Sequence, residues 1–71
     1  MWTKEKPEII EPCMLICMRQ YSGEYDYEFY EIIQLPGWGL LSVFQDDDYW
    51  GEIEEIEADM YFVVPLIDLK T

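Results

Sequence analysis

Met60, Tyr61, Phe62, Val63 and Val64 form the most apolar run of the chain, and Pro65 closes it. The run is too short for a buried helix, and its β-branched and aromatic content suits a buried strand. Everything upstream is expected to pair with this strand or pack on it. The stretch around it, from Gln45 to Ile67, starts as an acidic turn at Asp46-Asp47-Asp48 and passes through a charged segment before reaching the strand. In that segment Ile53 and Ile56 stand three apart among Glu52, Glu54, Glu55 and Glu57, which is helical spacing with acids in the first turn. One short helical or 3₁₀ segment is therefore expected before the last strand.

Three further strands are expected upstream. Cys13 to Gln20 is apolar until Arg19, so either both faces of that strand are covered or one is partly covered. A helix over 13–20 is the rival, because Met and Leu favour helices and Pro12 suits a first helical position. In Tyr25 to Gln34 the rings Tyr25, Tyr27 and Phe29 alternate with Asp26 and Glu28, a half-buried strand pattern. The alternation slips at Phe29-Tyr30, which predicts a bulge or a change in the covered face. Tyr21-Ser22-Gly23-Glu24 joins these two strands as a hairpin, and Pro36-Gly37 is the favoured central pair of a type II turn. The third strand is expected over Leu40 to Gln45, ending at Asp46. The fold class that follows is mainly β: one small domain over 1–71, a four-stranded antiparallel meander, curled or barrel-like. Residues 1–11 are an extended lead-in in which Ile9 and Ile10 touch the core and Trp2 either folds back onto the sheet or frays. An α+β arrangement with 13–20 helical is the alternative.

Charge narrows the function classes. Sixteen acids stand against four bases (Lys4, Lys6, Arg19 and Lys70), a formal net charge of −12. A phosphate backbone needs clustered Lys and Arg, so no direct nucleic-acid contact is expected. A basic protein surface suits this field as a partner, and solubility alone is the competing explanation. Aromatic residues make up 17% of the chain, too many for a disordered acidic tail. Exposed Tyr and Trp are enriched at protein interfaces. Rings interleaved with carboxylates suit partner Lys and Arg through ion pairs and cation–π contacts. The candidate partner-binding set is therefore Tyr25, Tyr27, Glu28, Tyr30, Trp50, Glu52, Glu54, Glu55, Glu57 and Asp59. A homodimer is a further expectation.

The chain has no histidine, the commonest general base and metal ligand. Ser22 and Ser42 therefore lack a triad partner. Cys13 and Cys17 lie in an apolar run with only Arg19 nearby, which argues against a reactive thiolate. Neither an enzyme nor a cofactor is expected. In a strand the two cysteines share a face about 13 Å apart, too far for a disulfide. Free thiols fit a reducing cytosol. With no stretch of membrane-spanning length and no signal-peptide core, a cytoplasmic protein is expected. The one metal alternative is a calcium loop over 46–57, with Asp46, Asp48 and Glu57 as carboxylate ligands and Gly51 at the tight turn. Trp50 supplies no oxygen where that frame needs one, and the frame also needs a helix on each side.

Trp2 followed by Lys6-Pro7, a short apolar strand soon after, and the ending Ile56 to Leu66 together resemble small phage and prophage proteins of unknown function. Those proteins open near a Trp…Pro and close on an aromatic strand and Pro-Leu-Pro. Here Ile67 replaces the second Pro, and Phe62 stands where they tend to have Trp. The resemblance implies a phage or mobile-element origin, a β-meander and the possibility of an inhibitor role, and it transfers no catalytic residues.

Overall fold

The computed structural model describes residues 1–66; Ile67 and Lys70 lie outside the described residues. The chain forms β1 (Cys13–Tyr21), β2 (Glu24–Gln34), β3 (Leu41–Gln45), β4 (Asp48–Gly51), a 3₁₀ turn (Ile53–Glu55) and β5 (Met60–Pro65). These strands make one antiparallel sheet in the order β4-β3-β2-β1-β5. The first four form a meander, and the chain then crosses over to place β5 beside β1. Cys13–Tyr21 is a strand, so the helical alternative for 13–20 is overturned. Its flanking strands supply ladder partners on both sides, which outweighs the helix propensity of Met and Leu.

Two expectations change. There are five strands, because Asp48–Gly51 pairs with β3 where an acidic turn was expected. Asp46 and Asp47 have φ of 53° and 69°, forming the two-residue type I′ turn that matches strand twist. A bulge at Val43/Phe44 then accommodates Trp50. The sheet is also open: β4 and β5 are its two edges, and the two are not paired with each other. Of the curled or barrel-like meander expected, the barrel-like closure does not occur.

The expected turns hold, whereas Ile10, expected to touch the core with Ile9, is exposed. Ser22 (φ 47°) and Gly23 (φ 87°) make the β1–β2 turn a type I′ hairpin. Trp38 N–H donates to the Leu35 carbonyl at 3.1 Å with Gly37 at φ 75°, as a type II Pro-Gly turn requires. The slip at Phe29-Tyr30 is neither a bulge nor a change of covered face: the β1–β2 register runs unbroken from Cys13↔Ile32 to Tyr21↔Glu24, Tyr30 and Ile32 share the core side with Glu28, and Tyr25, Tyr27 and Phe29 are all exposed on the other side.

The core lies on one face of the sheet. Opposed residues in an antiparallel pair share a face, so Cys13, Leu15 and Cys17 of β1 lie beside Ile32 and Tyr30 of β2, Val43 of β3 and Tyr61 of β5. All seven are buried, together with Ile56 from the crossover between β4 and β5. That crossover therefore lies over this inner face, with Ile53, Ala58 and Ile9 of the lead-in packed against the same cluster. The Tyr61 hydroxyl accepts from Ala58 N–H at 3.0 Å. Lys6 Nζ donates to the carbonyls of Ile53 and Glu54, joining lead-in to crossover. The lead-in also covers part of the β5 edge: Thr3 and Tyr61 exchange two backbone hydrogen bonds of 2.8 Å.

Candidate functional site: a bare aromatic and methionine face

The pleat separates what the sequence interleaves. Successive side chains of a strand point to opposite faces, so the odd positions of β2, Tyr25, Tyr27, Phe29, Glu31 and Ile33, lie on the outward face. The even positions Glu24, Asp26 and Glu28 lie on the core side. The same parity puts Met14, Ile16 and Met18 of β1, Met60, Phe62 and Val64 of β5, Phe44 of β3 and Tyr49 of β4 outward. Cross-strand rows result. Phe29, Ile16 and Phe62 align across three strands, flanked by Tyr27, Met18 and Met60 on one side and by Glu31, Met14 and Val64 on the other.

Tyr25, Tyr27, Phe29 and Tyr49 are each more than half exposed on this face. Trp2 folds back onto one corner, edge-on to Phe62 at 5.3 Å and tilted against Tyr27 at 6.1 Å. Phe44 and Tyr49 pack edge-to-face at the opposite corner, 5.8 Å apart. A groove of about 280 Å³ opens at one end between Pro12, Met14, Glu31, Ile33 and Leu66. Among the outward strand positions Glu31 alone is charged.

The acids gather on the other side. Glu52, Glu54, Glu55, Glu57 and Asp59 are exposed on the crossover that covers the core face. The expected set of rings and carboxylates is thus divided between two opposite surfaces, with Tyr25 and Tyr27 on one and the crossover acids on the other. Three members have structural partners. Glu55 Oε2 accepts from Glu52 N–H at 2.8 Å, closing the start of the 3₁₀ turn. Asp59 Oδ2 accepts from Gln20 N–H at 2.7 Å, while Asp59 N–H donates to the Met18 carbonyl. Glu28 accepts from the Gln45 amide.

Tyr30 does not belong in a partner-binding set. It is 2% exposed, packs edge-to-face on Trp50 at 5.1 Å, and its hydrogen bond with Arg19 raises the guanidinium pKa. Trp50 is 37% exposed on the short edge strand, on the core side of the sheet with Tyr30. The outward Met14, Ile16, Met18, Phe29 and Phe62 were absent from the expected set. For Met14, Ile16, Met18 and Phe62 the signal is an apolar run with no alternation, which means that both faces of the strand are apolar; Phe29 belongs to the alternating stretch of β2. Of the two expectations for β1, partial cover of one face is the one observed: Cys13, Leu15 and Cys17 are buried, and Met14, Ile16 and Met18 are half-buried.

The calcium frame has other geometry. Asp46 sits in the hairpin turn, Asp48 opens β4 and Glu57 lies on the crossover, with strands where the frame needs helices. Among the described residues no three Cys, Asp or Glu side chains gather to hold a metal. Cys13 and Cys17 are buried free thiols. Burial pushes the Cys17 thiol up to about 11, against the opposing pull of Arg19 and Lys6. Among the described residues no helix is long and apolar enough to cross a membrane. No protein-family model, curated protein or solved structure matches the chain.

Proposed function

We propose that the chain is a non-enzymatic protein-binding module that works through the outward face of its sheet. The observation that carries this reading is the layer of half-buried Met14, Ile16, Met18 and Phe62 with exposed Tyr27 and Phe29, apolar and largely free of charge on a chain of net charge −12. Exposed apolar patches on this scale mark interaction surfaces, and Met, Tyr and Phe are enriched in interface cores. The occupant, argued in the next subsection, is a second copy of the chain.

A second reading gives the acidic crossover layer a basic partner surface, such as one that otherwise holds nucleic acid. Its support is the gathering of Glu52, Glu54, Glu55, Glu57 and Asp59 on the side opposite the apolar face. The resemblance to small phage and prophage proteins fits this reading, with the module as an inhibitor carried by a mobile element and acting in a reducing cytoplasm.

Retention from a host lysate on three baits separates the readings: the wild-type chain, a Tyr27→Glu variant and a Glu54→Gln, Glu55→Gln double variant. A protein lost with Tyr27→Glu alone docks on the outward face. A basic protein lost with the double variant alone, with its association slowed at low salt, supports the acidic layer, because surface charge acts chiefly on encounter. If all three baits retain the same proteins and the chain stays monomeric at every concentration, the face has no binding role.

A further inference from the structure

We infer that the outward sheet face is a homodimer interface, on which a second copy packs its own sheet face to form a two-sheet sandwich. This inference rests on the protein-binding reading above and specifies its partner.

Size is the first argument. The sheet is five strands wide and its longest strands are 9 and 11 residues. At about 4.8 Å between strands and 3.3 Å per residue, strands of 9, 11, 5, 4 and 6 residues give a face of roughly 550 Å². Two such faces together bury roughly 1,100 Å², above the about 1,000 Å² total that a specific interface should clear. The composition also fits: a homodimer interface resembles a domain core cut in half. The Phe29–Ile16–Phe62 row with its flanking methionines has that composition, and side chains of this kind interdigitate when two sheets pack face to face.

The placement of charge is the second argument. A body of net charge −12 resists self-association unless its acids stand away from the contact. Here the crossover acids lie beyond the core, on the far side of the sheet from the bare face. Two sheets in a sandwich sit about 10 Å apart. The two acidic layers are then separated by roughly 20 Å or more, over twice the about 8 Å Debye length at physiological salt. The bare face offers a foreign basic protein one carboxylate, Glu31. Self-complementary apolar rows are what an isologous two-fold contact uses.

The edges disfavour the other mode of self-association. Thr3 occupies part of the β5 edge, and β4 is four residues long, opens on Asp48 and follows a bulge. Short, covered, charged edges resist strand-to-strand pairing. The β3-side edge of β2 is also free from Glu24 to Tyr30, where Glu24, Asp26 and Glu28 would repel a paired second copy, so the faces remain the surfaces for two copies to share.

Glu31 makes the proposal discriminating. In a homodimer its carboxylate loses water against an apolar partner face and meets no cation there, so its charge opposes association. Against a basic partner the same charge favours association. Sedimentation equilibrium of the full chain should show a species of twice the 8.6 kDa monomer mass. Glu31→Gln should tighten that dimer several-fold. Ile16→Lys, at the centre of the face, should weaken it by about 30-fold or more, as hot-spot losses do. Tyr27→Glu, at a position already half exposed and so safe for folding, should weaken it in the same direction. Added salt should leave the dimer unchanged or tighten it.

A chain that stays monomeric up to millimolar concentration overturns the homodimer. If Tyr27→Glu nevertheless removes a lysate partner, the protein-binding reading survives with a foreign occupant. A dimer that forms but is indifferent to Ile16→Lys, Tyr27→Glu and Glu31→Gln, with circular dichroism unchanged, uses another surface and also overturns the proposal.

Discussion

Ile56 and Leu15 belong to one buried cluster although they come from the crossover and from a strand inside the sheet. Both are fully buried, and Ile56 is the one fully buried side chain of the crossover, beside the partly buried Ile53 and Ala58. Ile56→Ala should cost about 2–4 kcal/mol, measured as a fall in the urea midpoint, because it removes transfer energy and leaves a cavity. Cys17 belongs to the same cluster, and burial raises its thiol to about 11 from the ordinary 9.0. The folded chain keeps that proton longer than the unfolded chain does. Cys17 thus leaves stability independent of pH below about 9 and lowers it as pH rises from about 9 to 11, where the unfolded thiol has already ionised. A thiol reagent at pH 8 should label Cys17 at the rate of global opening, and denaturant should release full reactivity.

The two hairpins show how turn chemistry sets register. Ser22-Gly23 places glycine at one of the two positive-φ positions, whereas Asp46-Asp47 places none. An L-residue in the left-handed region is strained, and Asp tolerates it better than most. Asp47→Gly should therefore stabilise the β3–β4 hairpin by about 1 kcal/mol, seen as a higher melting temperature. The same hairpin occupies the first residues of the calcium frame, so millimolar calcium should not shift the melting temperature, since an ion that binds only the folded form must raise it. Gly51 ends β4 where a Cβ would overlap the Glu55 carboxylate. Gly51→Ala should displace that carboxylate from Glu52 N–H and cost about 1 kcal/mol, comparable to loss of a cap.

The molecule is two-sided, apolar and aromatic on one surface and acidic on the other. Its extents of 43 × 27 × 22 Å leave it thin, with the β1–β2 hairpin running past the ends of β3 and β4. A net charge of −12 on so small a body is self-repulsive. Raising salt from about 10 mM to 150 mM should therefore raise the melting temperature, because the Debye length shrinks from about 30 Å to 8 Å. If the melting temperature also rises with protein concentration, the folded form is the one that associates, as a dimer requires.

Local chemistry made much of this fold legible. The strands at 13–20 and 25–34, the Ser22-Gly23 and Pro36-Gly37 turns, the 3₁₀ turn at Ile53 and the inert thiols all follow from period, propensity and turn residues close together in the chain. The fifth strand was hidden because Asp48-Tyr49-Trp50 follows two acids and carries no alternating signal. The open sheet was hidden because closure depends on whether β4 meets β5, a contact between opposite ends of the topology. The surface was hidden for a geometric reason. A period-two mixture of rings and acids looks like one mixed site along the chain, but the pleat sends its two components to opposite sides. Which side is then covered depends on where residues 52–59 cross, and they cross over Leu15 and Tyr30, leaving Ile16 half-buried and Phe29 exposed. Sequence patterning established that both faces of β1 are apolar; the path of the crossover decided which of them became the core.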